Sequence, residues 1–556
     1  WIVFEDDALM FIDKPAGVSS QAADPERPDD IVTRLKAWLT SEGRDAYLGT
    51  HQRLDRDTSG LLVYARKKEA NASLAKQFEG RTAKKMYLAC VSGWKRGPAA
   101  LRDRLAPGDD GTMKIVGERD TRGQLAVTHV KVVKQKAERA IVELGLETGR
   151  THQARAQLAN AKAPIAGDVL YGGGPAPRLL LHAYALEIMH PLTGKNLRVE
   201  APVPVEFEQW LERGDLGPTV YDDEKTIDRA LERALEKRWG LGRSKAPHET
   251  TAFRIVNEAG DALPGLSVDA YGDFLVAQLH TSGEDDENFT PARKERVMDR
   301  LHALGFDGIY LKLRPKQAST LVETRREDVA PKLPVRGAAA PEVVVVKEEG
   351  LSYEARLADG LSTGIFLDQR ANRTRVRALA KGLRVANLFS YSCAFTVAAA
   401  AGGAKETVSV DASVVALERG RENVMLVDGV RAAAHSFVAE DAFAWLAKAA
   451  RQKQRFDLVI LDPPSYSTTK TRRFVASDDF AELAADALQI LAPGGMLLAC
   501  TNHRGVRKAK LRRMLGDAGR KVKREIVKMR DLPDPTDFPA APGVESHLKS
   551  ILVHVK

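Results

Sequence analysis

The sequence has 556 residues, which is too long for one hydrophobic core and predicts several domains. An apolar fraction of 44% is enough to build such cores, and a net charge of +9 suits a nucleic-acid partner. No apolar run reaches the length of a membrane span, so we expect no membrane partner.

The three cysteines, Cys90, Cys393 and Cys500, lie far apart and form no CxxC pair. This spacing argues against a structural zinc site and favours a reducing compartment, so we predict no bound metal and a cytoplasmic location. The chain begins in strand-like residues at Trp1 rather than at Met. We therefore expect no signal peptide and a few residues before Trp1.

Along the chain, the pattern of elements changes character three times. Residues 1–212 carry short strand-like runs between Gly and Pro, which predicts a mixed-sheet α+β domain. Residues 213–250 have apolar positions at helical spacing and predict a helical linker. Residues 251–345 predict a small central α+β domain. Residues 346–556 alternate strand and helix, which is typical of a doubly wound, Rossmann-like α/β domain with a parallel sheet.

The segment HQRLDRDTSG, residues 51–60, is the first charged constellation. Asp55 lies between Arg53 and Arg56, and Asp57 follows. Flanking guanidinium groups favour an ionised carboxylate, as a nucleophile or general base requires, and they also suit phosphate. On charge alone, a solvated ion-pair loop is the commoner structure, and charge does not choose between the two acids.

Other stretches occur around this loop in a definite order: DKPAGV (13–18), KKMYLACVSG (84–93), LETGRTHQARAQLAN (146–160), GDVLYGG (167–173) and LLLHAYALEIMHPLTG (179–194). Together with HQRLDRDTSG, this set resembles the RluA-type pseudouridine synthase family over nearly all of residues 1–210. The resemblance implies that a uridine of RNA is flipped into a pocket and isomerised without cofactor or metal.

The resemblance also assigns roles to individual residues of this half. It implies that Asp55 acts at the anomeric carbon of the sugar or as the base that starts glycosidic cleavage. Tyr87 would pack on the base and take the proton from carbon 5, and Arg150 would pair with the catalytic aspartate. Without the family, a strand tyrosine such as Tyr87 is more often a core residue. The predicted RNA-binding residues are Arg53, Arg56 and Arg155, and Arg53 would fill the space left by the flipped base.

The last domain places small polar and acidic residues at the ends of strands. VANLFSYS ends a strand before the helix AFTVAAAA, where backbone amides can bind a ligand. Asp411 ends the next strand and can accept both hydroxyls of a ribose, and Asp441 follows the strand after that. Asp462 follows a fourth strand, at the edge where open α/β sheets bind ligands. A nicotinamide dehydrogenase would share this layout, but the first turn lacks GxGxxG.

Residues 225–556 resemble the class I S-adenosylmethionine-dependent methyltransferases, in particular the RlmI and RlmK group that acts on large-subunit rRNA. The matching stretches are FRIVNEAGDALPGLSVDAYGDFLV (253–276), GLSTGIFLDQRANR (360–373), LFSYSCAF (388–395) and DPPSYS (462–467). The resemblance implies S-adenosylmethionine as cofactor and RNA, 23S rRNA or a pre-ribosomal particle, as partner. The implied cofactor-binding residues are Phe366, Asp368, Arg370, Asn387, Phe389, Ser390, Asp411, Asp441 and Asp462. The residues implied to meet the target base include Asp462, Pro463 and Pro464.

The presence or absence of a cysteine in the active site indicates which atom of the base is methylated. Methylation of a pyrimidine at carbon 5 needs a thiolate that adds to the ring. Asn502 occupies the position where the RlmI-like pattern has that cysteine, and Cys500 lies two residues earlier. TNHRG (501–505) resembles the RlmK-like end of the group, which methylates a ring nitrogen of guanine. We favour a guanosine target and keep carbon 5 of cytidine as the alternative.

Basic residues cluster after this strand in RGVRKAKLRRML and RKVKREIVKMR. A solvated helix face and a phosphate-contacting surface both fit this cluster, and the candidate contacts are Arg512 and Arg513. The whole sequence thus predicts a bifunctional RNA-modifying enzyme, both isomerase and methyltransferase. The alternatives are an RNA-binding ribosome-assembly factor with an inactive site and a methyltransferase that acts on protein or DNA.

Overall fold

The computed structural model describes residues 1–21, 30–108, 111–214, 217–239, 241, 249–281, 288–315, 326–468, 473–541 and 544–556. The chain forms two compact units. Unit 1 comprises Trp1–Gly240, Ala259–Pro264 and Ala541–Gly543, and unit 2 comprises Leu241–Glu258, Gly265–Ala540 and Val544–Lys556. Over the ranges described, no helix combines the length and the apolar character that crossing a membrane requires.

Unit 1 is built on one mixed sheet with short helices against it. Its strands are β1 (Ile2–Glu5), β2 (Leu9–Lys14), β3 (Gly49–Thr50), β4 (Ser59–Ala65), β5 (Lys84–Ser92), β6 (Ala99–Pro107), β7 (Met113–Val116), β8 (Gln124–Lys136), β9 (Arg139–Leu146), β10 (Leu181–Met189) and β11 (Asn196–Glu200). Its helices are α1 (Ile31–Ser41), α2 (Ala70–Glu79), α3 (Gln153–Asn160), α4 (Glu206–Arg213) and α5 (Glu224–Lys237). The strand order is β1-β2-β4-β10-β5-β9-β8-β6-β7, with β3 on β4 and β11 on β10.

The amphipathic helix predicted as a linker is α5, and it belongs to unit 1. Asp223 caps its start by accepting a hydrogen bond from the backbone N–H of Thr226. Its apolar face is buried, and just beyond its end Trp239 packs against Trp1 with ring centroids 4.6 Å apart. Most of the loop predicted to follow, residues 242–251, lies outside the described residues. The division into four segments stays a prediction.

Unit 2 contains a smaller sheet followed by a doubly wound sheet. Its strands are β12 (Ala252–Asn257), β13 (Leu266–Tyr271), β14 (Phe274–Thr281), β15 (Gly308–Pro315), β16 (Arg336–Gly337), β17 (Val344–Glu348), β18 (Leu351–Ala355), β19 (Arg384–Leu388), β20 (Glu406–Asp411), β21 (His435–Ala439), β22 (Phe456–Leu461), β23 (Tyr466–Thr468), β24 (Arg473–Val475), β25 (Leu491–Thr501), β26 (Ile526–Leu532) and β27 (Lys549–Val555). Its helices are α6 (Pro291–His302), α7 (Arg370–Leu379), α8 (Ala394–Ala401), α9 (Val414–Met425), α10 (Ala442–Arg451), α11 (Ala476–Gln489) and α12 (Lys508–Lys521).

The larger sheet of unit 2 has the strand order β21-β20-β19-β22-β25-β27-β26. The pairs from β21 to β25 are parallel, and β27 runs antiparallel to both of its neighbours. The order reverses between β19 and β22, which makes the carboxyl ends of these two strands the expected ligand site. The predicted doubly wound fold is therefore confirmed. The central sheet, β12-β13-β14-β15-β16, is separate from it.

Candidate active sites

In unit 1, the HQRLDRDTSG loop connects β3 to β4, and a buried lysine forms a hydrogen bond with its backbone. Lys14, the last residue of β2, donates from Nζ to the carbonyls of Pro15 (2.9 Å), Val18 (2.8 Å) and Arg56 (3.0 Å). Burial lowers the pKa of Lys14 to about 7, although the charges of Asp57 and Asp55 oppose this shift. The lysine of DKPAGV, to which the sequence analysis gave no role, thus fixes the loop that carries the acid.

Gly60 ends this loop and is required by close packing. Its φ is +115°, and a Cβ there would lie 2.3 Å from the carbonyl oxygen of Ala183 on the neighbouring strand β10. Only glycine fits a positive φ and so close an approach without strain. The conformation of the loop is therefore fixed by Lys14 at one end and by Gly60 at the other.

Asp55 lies in the wall of a cavity of about 650 Å³, and 30% of its side chain is exposed. Its Oδ2 lies 3.6 Å from Nη1 of Arg155 and 3.9 Å from Nε2 of His152. Arg155 is itself held by Asp168, which accepts from Nε and Nη2 at 2.7 Å each. The acid is thus paired with a buried guanidinium whose orientation a second carboxylate fixes.

The predicted partner of Asp55 was therefore wrong. Arg150 lines the same cavity, but it donates from Nε to the carbonyl of Leu125 at 3.2 Å, and Arg155 takes the place predicted for it. Arg155 was predicted to bind RNA, yet only 5% of it is exposed and its guanidinium lies 5.2 Å from the ring of Tyr171. Asp168 and Tyr171 were not singled out, although both belong to the GDVLYGG motif.

Tyr87, on β5, forms part of the same cavity wall together with Leu146 and Leu181. Burial, with the nearby Asp55 charge, raises the pKa of Tyr87 far above its usual value, so its hydroxyl stays protonated. The cavity brings together the predicted residues Arg53, Asp55, Tyr87, Arg150 and Arg155. Arg56 is instead exposed and pairs with Asp57 at 3.0 Å. The cavity therefore joins an acid, an aromatic ring and several cations, which suits a nucleotide.

In unit 2, the turn after β19 has an unusual backbone. Phe389, Tyr391 and Cys393 all have positive φ, at 56°, 46° and 59°. Non-glycine residues adopt this region rarely, and functional sites are where such strain concentrates. The turn is held by Asp411, whose Oδ2 accepts from the backbone N–H of Tyr391 at 2.9 Å, and by Ser390, whose N–H donates to Val410 at 3.0 Å.

The other predicted cofactor residues lie around this turn with different exposures. Asn387 is 1% exposed and donates to Thr396 Oγ1 at 3.0 Å, and Ser390 is 7% exposed. Asp441 caps α10 by accepting from two backbone N–H groups at 3.1 Å. The ring of Phe389 lies 6.3 Å from that of Phe443. Strand ends thus bring Asp411 and Asp441 to one edge of the sheet, as predicted.

A second cavity, of about 260 Å³, includes Phe366, Asp368 and Tyr391 in its wall. Arg370 is not part of that wall; it is 1% exposed and pairs with the fully buried Asp537, with Nη1 to Oδ2 at 2.9 Å. Arg370 therefore holds the segment 534–540 in place, and its role in binding the cofactor stays a prediction. Motif spacing could not show this, because Asp537 lies far along the chain.

Asp462 follows β22 at the reversal of strand order, and it accepts from Gln369 Nε2 at 2.8 Å. Burial and the neighbouring Asp368 carboxylate raise the pKa of Asp462 to about 7. Pro463 is buried and Pro464 is exposed. Ser465 Oγ donates to Asn502 Oδ1 at 2.7 Å, which links this loop to the one after β25.

Cys500 is fully buried in β25, whereas Asn502, two residues later, is exposed in the wall of the second cavity. Asn372 Nδ2 lies 3.6 Å from the Cys500 sulfur, and Gln369 Oε1 lies 3.9 Å from it. Burial raises the pKa of the Cys500 thiol well above its usual range. In the residues that the structure describes, no cluster of His, Cys, Asp or Glu could hold a metal ion.

Comparison with known proteins identifies both units. Residues 321–553 match the family model for S-adenosylmethionine-dependent methyltransferases, and residues 8–160 match that for RNA pseudouridylate synthases. A ribosomal RNA large subunit methyltransferase of Deinococcus radiodurans is 33% identical over 339 residues, which cover 61% of this chain and 81% of the relative. The chain belongs to the ribosomal RNA large subunit methyltransferase family.

Further matches agree with this family. Ribosomal RNA large subunit methyltransferase I of Aeromonas salmonicida is 29% identical over 383 residues, covering 66% of this chain and 92% of that one. SMU.776, described as a methyltransferase and crystallised with SAH, is 30% identical with a TM-score of 0.52, covering 60% of this chain and 82% of that one. The predicted pair of activities, pseudouridine synthase and methyltransferase, and the predicted cofactor S-adenosylmethionine are confirmed.

Proposed function

We propose that this enzyme modifies the RNA of the large ribosomal subunit twice, isomerising one uridine and methylating one guanosine. The substrate is 23S rRNA or a pre-ribosomal particle, and the enzyme acts in the cytoplasm. Support comes from the large-subunit methyltransferase relatives and from the pseudouridylate synthase match to residues 8–160. The basic net charge of +9 fits an RNA substrate.

In the first site, we assign the reacting carboxylate to Asp55. Its Oδ2 lies 3.6 Å from the buried Arg155 guanidinium, and its partly exposed side chain reaches the cavity in which the sugar would be bound. Tyr87, in the wall of the same cavity, supplies the ring against which the flipped base packs. Arg53 and Arg150 lie at the cavity wall as cations for the RNA backbone.

In the second site, the residues present fit S-adenosylmethionine. Asp411 is an oriented carboxylate at a strand end, which suits the two hydroxyls of a ribose, and Phe366 and Tyr391 offer aromatic faces with ring centroids 5.4 Å apart. Asp441 would lie beside the adenine of S-adenosylmethionine. Asn387 and Ser390 would lie near its methionine end. When bound, S-adenosylmethionine supplies the methyl group. The chain's own contribution is to orient the acceptor base at Asp462 and to exclude water.

The observation that carries the choice of guanosine is the burial of Cys500. Carbon-5 methylation needs a thiolate in contact with the base, and the Cys500 thiol is fully buried and strongly favours the protonated form. The exposed residue at the corresponding place is Asn502, which cannot form a covalent adduct. Transfer to a ring nitrogen of guanine needs only positioning and electrostatics.

Mass spectrometry of large-subunit rRNA nucleosides tests this proposal directly. A strain lacking the gene is compared with the same strain complemented by the wild type. We expect the deletion to lose one pseudouridine and one methylguanosine, and complementation to restore both. Loss of 5-methylcytidine in place of methylguanosine would favour the alternative target. An unchanged nucleoside profile would contradict both activities on rRNA and favour an assembly factor.

A further inference from the structure

Tyr466 and His503 are in contact in unit 2, and they belong to the segments that follow β22 and β25. Tyr466 begins β23, four residues after Asp462, and His503 lies two residues beyond the end of β25. The Tyr466 hydroxyl lies 2.9 Å from His503 Nε2, and the two ring centroids are 5.2 Å apart. Tyr466 is 43% exposed and His503 is 8% exposed. The pair thus offers a fixed aromatic side chain at the surface, four residues after Asp462 in the chain.

The hydrogen bonds of His503 determine where its proton lies. Nδ1 accepts from the backbone N–H of Gly505 at 3.0 Å, so it carries no hydrogen. Burial and the charges of Lys549 and Lys510 lower the pKa of His503, which keeps the ring neutral at physiological pH. The single hydrogen of a neutral imidazole is then on Nε2, and it is donated to the Tyr466 oxygen. The hydroxyl hydrogen of Tyr466 is not used in this contact.

Asn502 is oriented in a comparable way. Ser465 Oγ donates to its Oδ1 at 2.7 Å, so the carbonyl end of the amide faces Ser465 and the NH₂ end faces away from it. Asn502 also lines the cavity that contains Phe366 and Tyr391. The segments after β22 and β25 therefore carry two hydrogen-bond donors, the Tyr466 hydroxyl and the Asn502 amide, each oriented by a neighbour within unit 2.

We propose that the Tyr466 hydroxyl donates to O6 of the target guanine and that the Asn502 amide is a second donor to the same base. This inference rests on the proposed guanosine target. O6 lies on the same side of the ring system as N1 and N7, so a donor there can position either nitrogen for transfer. Adenine carries an amino group at this position, which is itself a donor and opposes Tyr466. The two residues therefore select guanine against adenine.

Steady-state methylation by the full chain tests the proposal, with an RNA fragment that spans the position methylated by the wild type. Tyr466→Phe keeps the ring and removes only the hydroxyl. We expect kcat/KM for methyl transfer to fall by about 10-fold, the cost of one lost hydrogen bond to a desolvated acceptor. Uridine isomerisation and the Kd for S-adenosylmethionine should not change, because neither involves Tyr466.

Base analogues in the same fragment separate a contact to O6 from a structural effect. 2-Aminopurine lacks O6, so the wild type and Tyr466→Phe should methylate it equally. Inosine keeps O6, so the difference of about 10-fold should persist. Both analogues replace only the target guanosine, so all other contacts to the fragment stay the same.

Tyr353→Phe is the matched control, because it removes a buried hydroxyl from the same unit that has no hydrogen-bond partner among the described residues. It should leave methylation unchanged. Wild-type kcat/KM for Tyr466→Phe would overturn the inference, and so would a loss that persists with 2-aminopurine. If the wild type methylates cytidine and no guanosine, the proposed function itself fails, which is a separate and recognisable result.

Discussion

The Nη1 atom of Arg155 lies 3.6 Å from the Oδ2 atom of Asp55, and the two side chains differ in burial. The side chain of the arginine is 6% exposed and that of the acid 30%. The guanidinium is therefore fixed within the protein, while the carboxylate reaches the cavity in which a base would be bound. Such an arrangement lets the charge of Asp55 be stabilised without any rearrangement when RNA binds.

Replacing Asp168 tests whether this fixed guanidinium matters. Asp168→Asn removes the charge that holds Nε and Nη2 of Arg155 at 2.7 Å. We expect kcat for pseudouridine formation to fall by about 100-fold because the ion pair with Asp55 loses its geometry. The rate of pseudouridine formation is measured as release of tritium from RNA labelled at carbon 5 of uridine. Arg150→Gln is the control and should mainly raise KM. A wild-type kcat for Asp168→Asn would contradict this role.

The choice between the two acids of the loop can be decided with one matched pair of variants. Asp55→Asn should abolish pseudouridine formation and leave RNA binding and methyl transfer intact. Asp57→Asn makes the same chemical change in an exposed ion pair with Arg56, and it should retain activity. The reverse result, in which only Asp57→Asn is inactive, would show that the reacting carboxylate was assigned to the wrong residue.

Methyl transfer should depend on pH through Asp462. Burial and the Asp368 charge raise the pKa of Asp462 to about 7, so the carboxylate forms as pH rises through 7. An ionised Asp462 can accept hydrogen bonds from guanine, and we expect the rate to rise over this range. Asp368→Asn removes a neighbouring negative charge and should move the midpoint to lower pH. A midpoint unaffected by Asp368→Asn would contradict the assignment.

Breaking the Arg370–Asp537 pair should destabilise unit 2 strongly. Both side chains are almost fully buried, and Asp537→Ala would leave a buried guanidinium without its carboxylate. We expect a loss of about 3–5 kcal/mol in the free energy of unfolding, measured by urea denaturation. The exposed Arg520–Asp517 pair is the control, and Asp517→Ala should cost about 1 kcal/mol or less. Equal costs for the two variants would be inconsistent with the buried pair holding the segment.

If the basic surface of α12 binds RNA, the affinity for RNA should decrease as the salt concentration rises. Arg513 is exposed, whereas Arg512 pairs with Asp531 at 2.9 Å. We expect Arg513→Gln to reduce the slope of log K against log salt by about 0.7–0.9, the value for one lost phosphate contact. Arg512→Gln should reduce it less, because its charge is already partly balanced. If neither variant changed the slope, the result would indicate that RNA binds at a surface other than α12.

Sequence patterns predicted the fold well because they report local periodicity. Strands such as β4 and β22 stand out as apolar runs, and α5 stands out by its helical spacing. The positions of Asp411 and Asp462 at strand ends follow from the same patterns. The parallel sheet then brings these ends to one edge, so the location of the second site could be inferred before its geometry was known.

Pairings between distant residues could not be predicted in this way. Arg150 and Arg155 belong to one motif, and only the fold shows that Asp168 and Asp55 converge on the second of them. The roles of Lys14 and Arg370 likewise depend on partners that adopt their positions through tertiary packing. A family motif fixes which residues are present, but it does not fix which of two similar charges faces the reacting group.

The burial of the native thiols makes the enzyme well suited to site-specific labelling. Cys90, Cys393 and Cys500 are all free, and each is fully buried in its unit. Maleimide and iodoacetamide react with accessible thiolates, so the folded wild type should take up neither reagent. A single cysteine introduced on the surface would then be the only reactive thiol, and one dye for fluorescence studies of RNA engagement could be attached there without first removing the native cysteines.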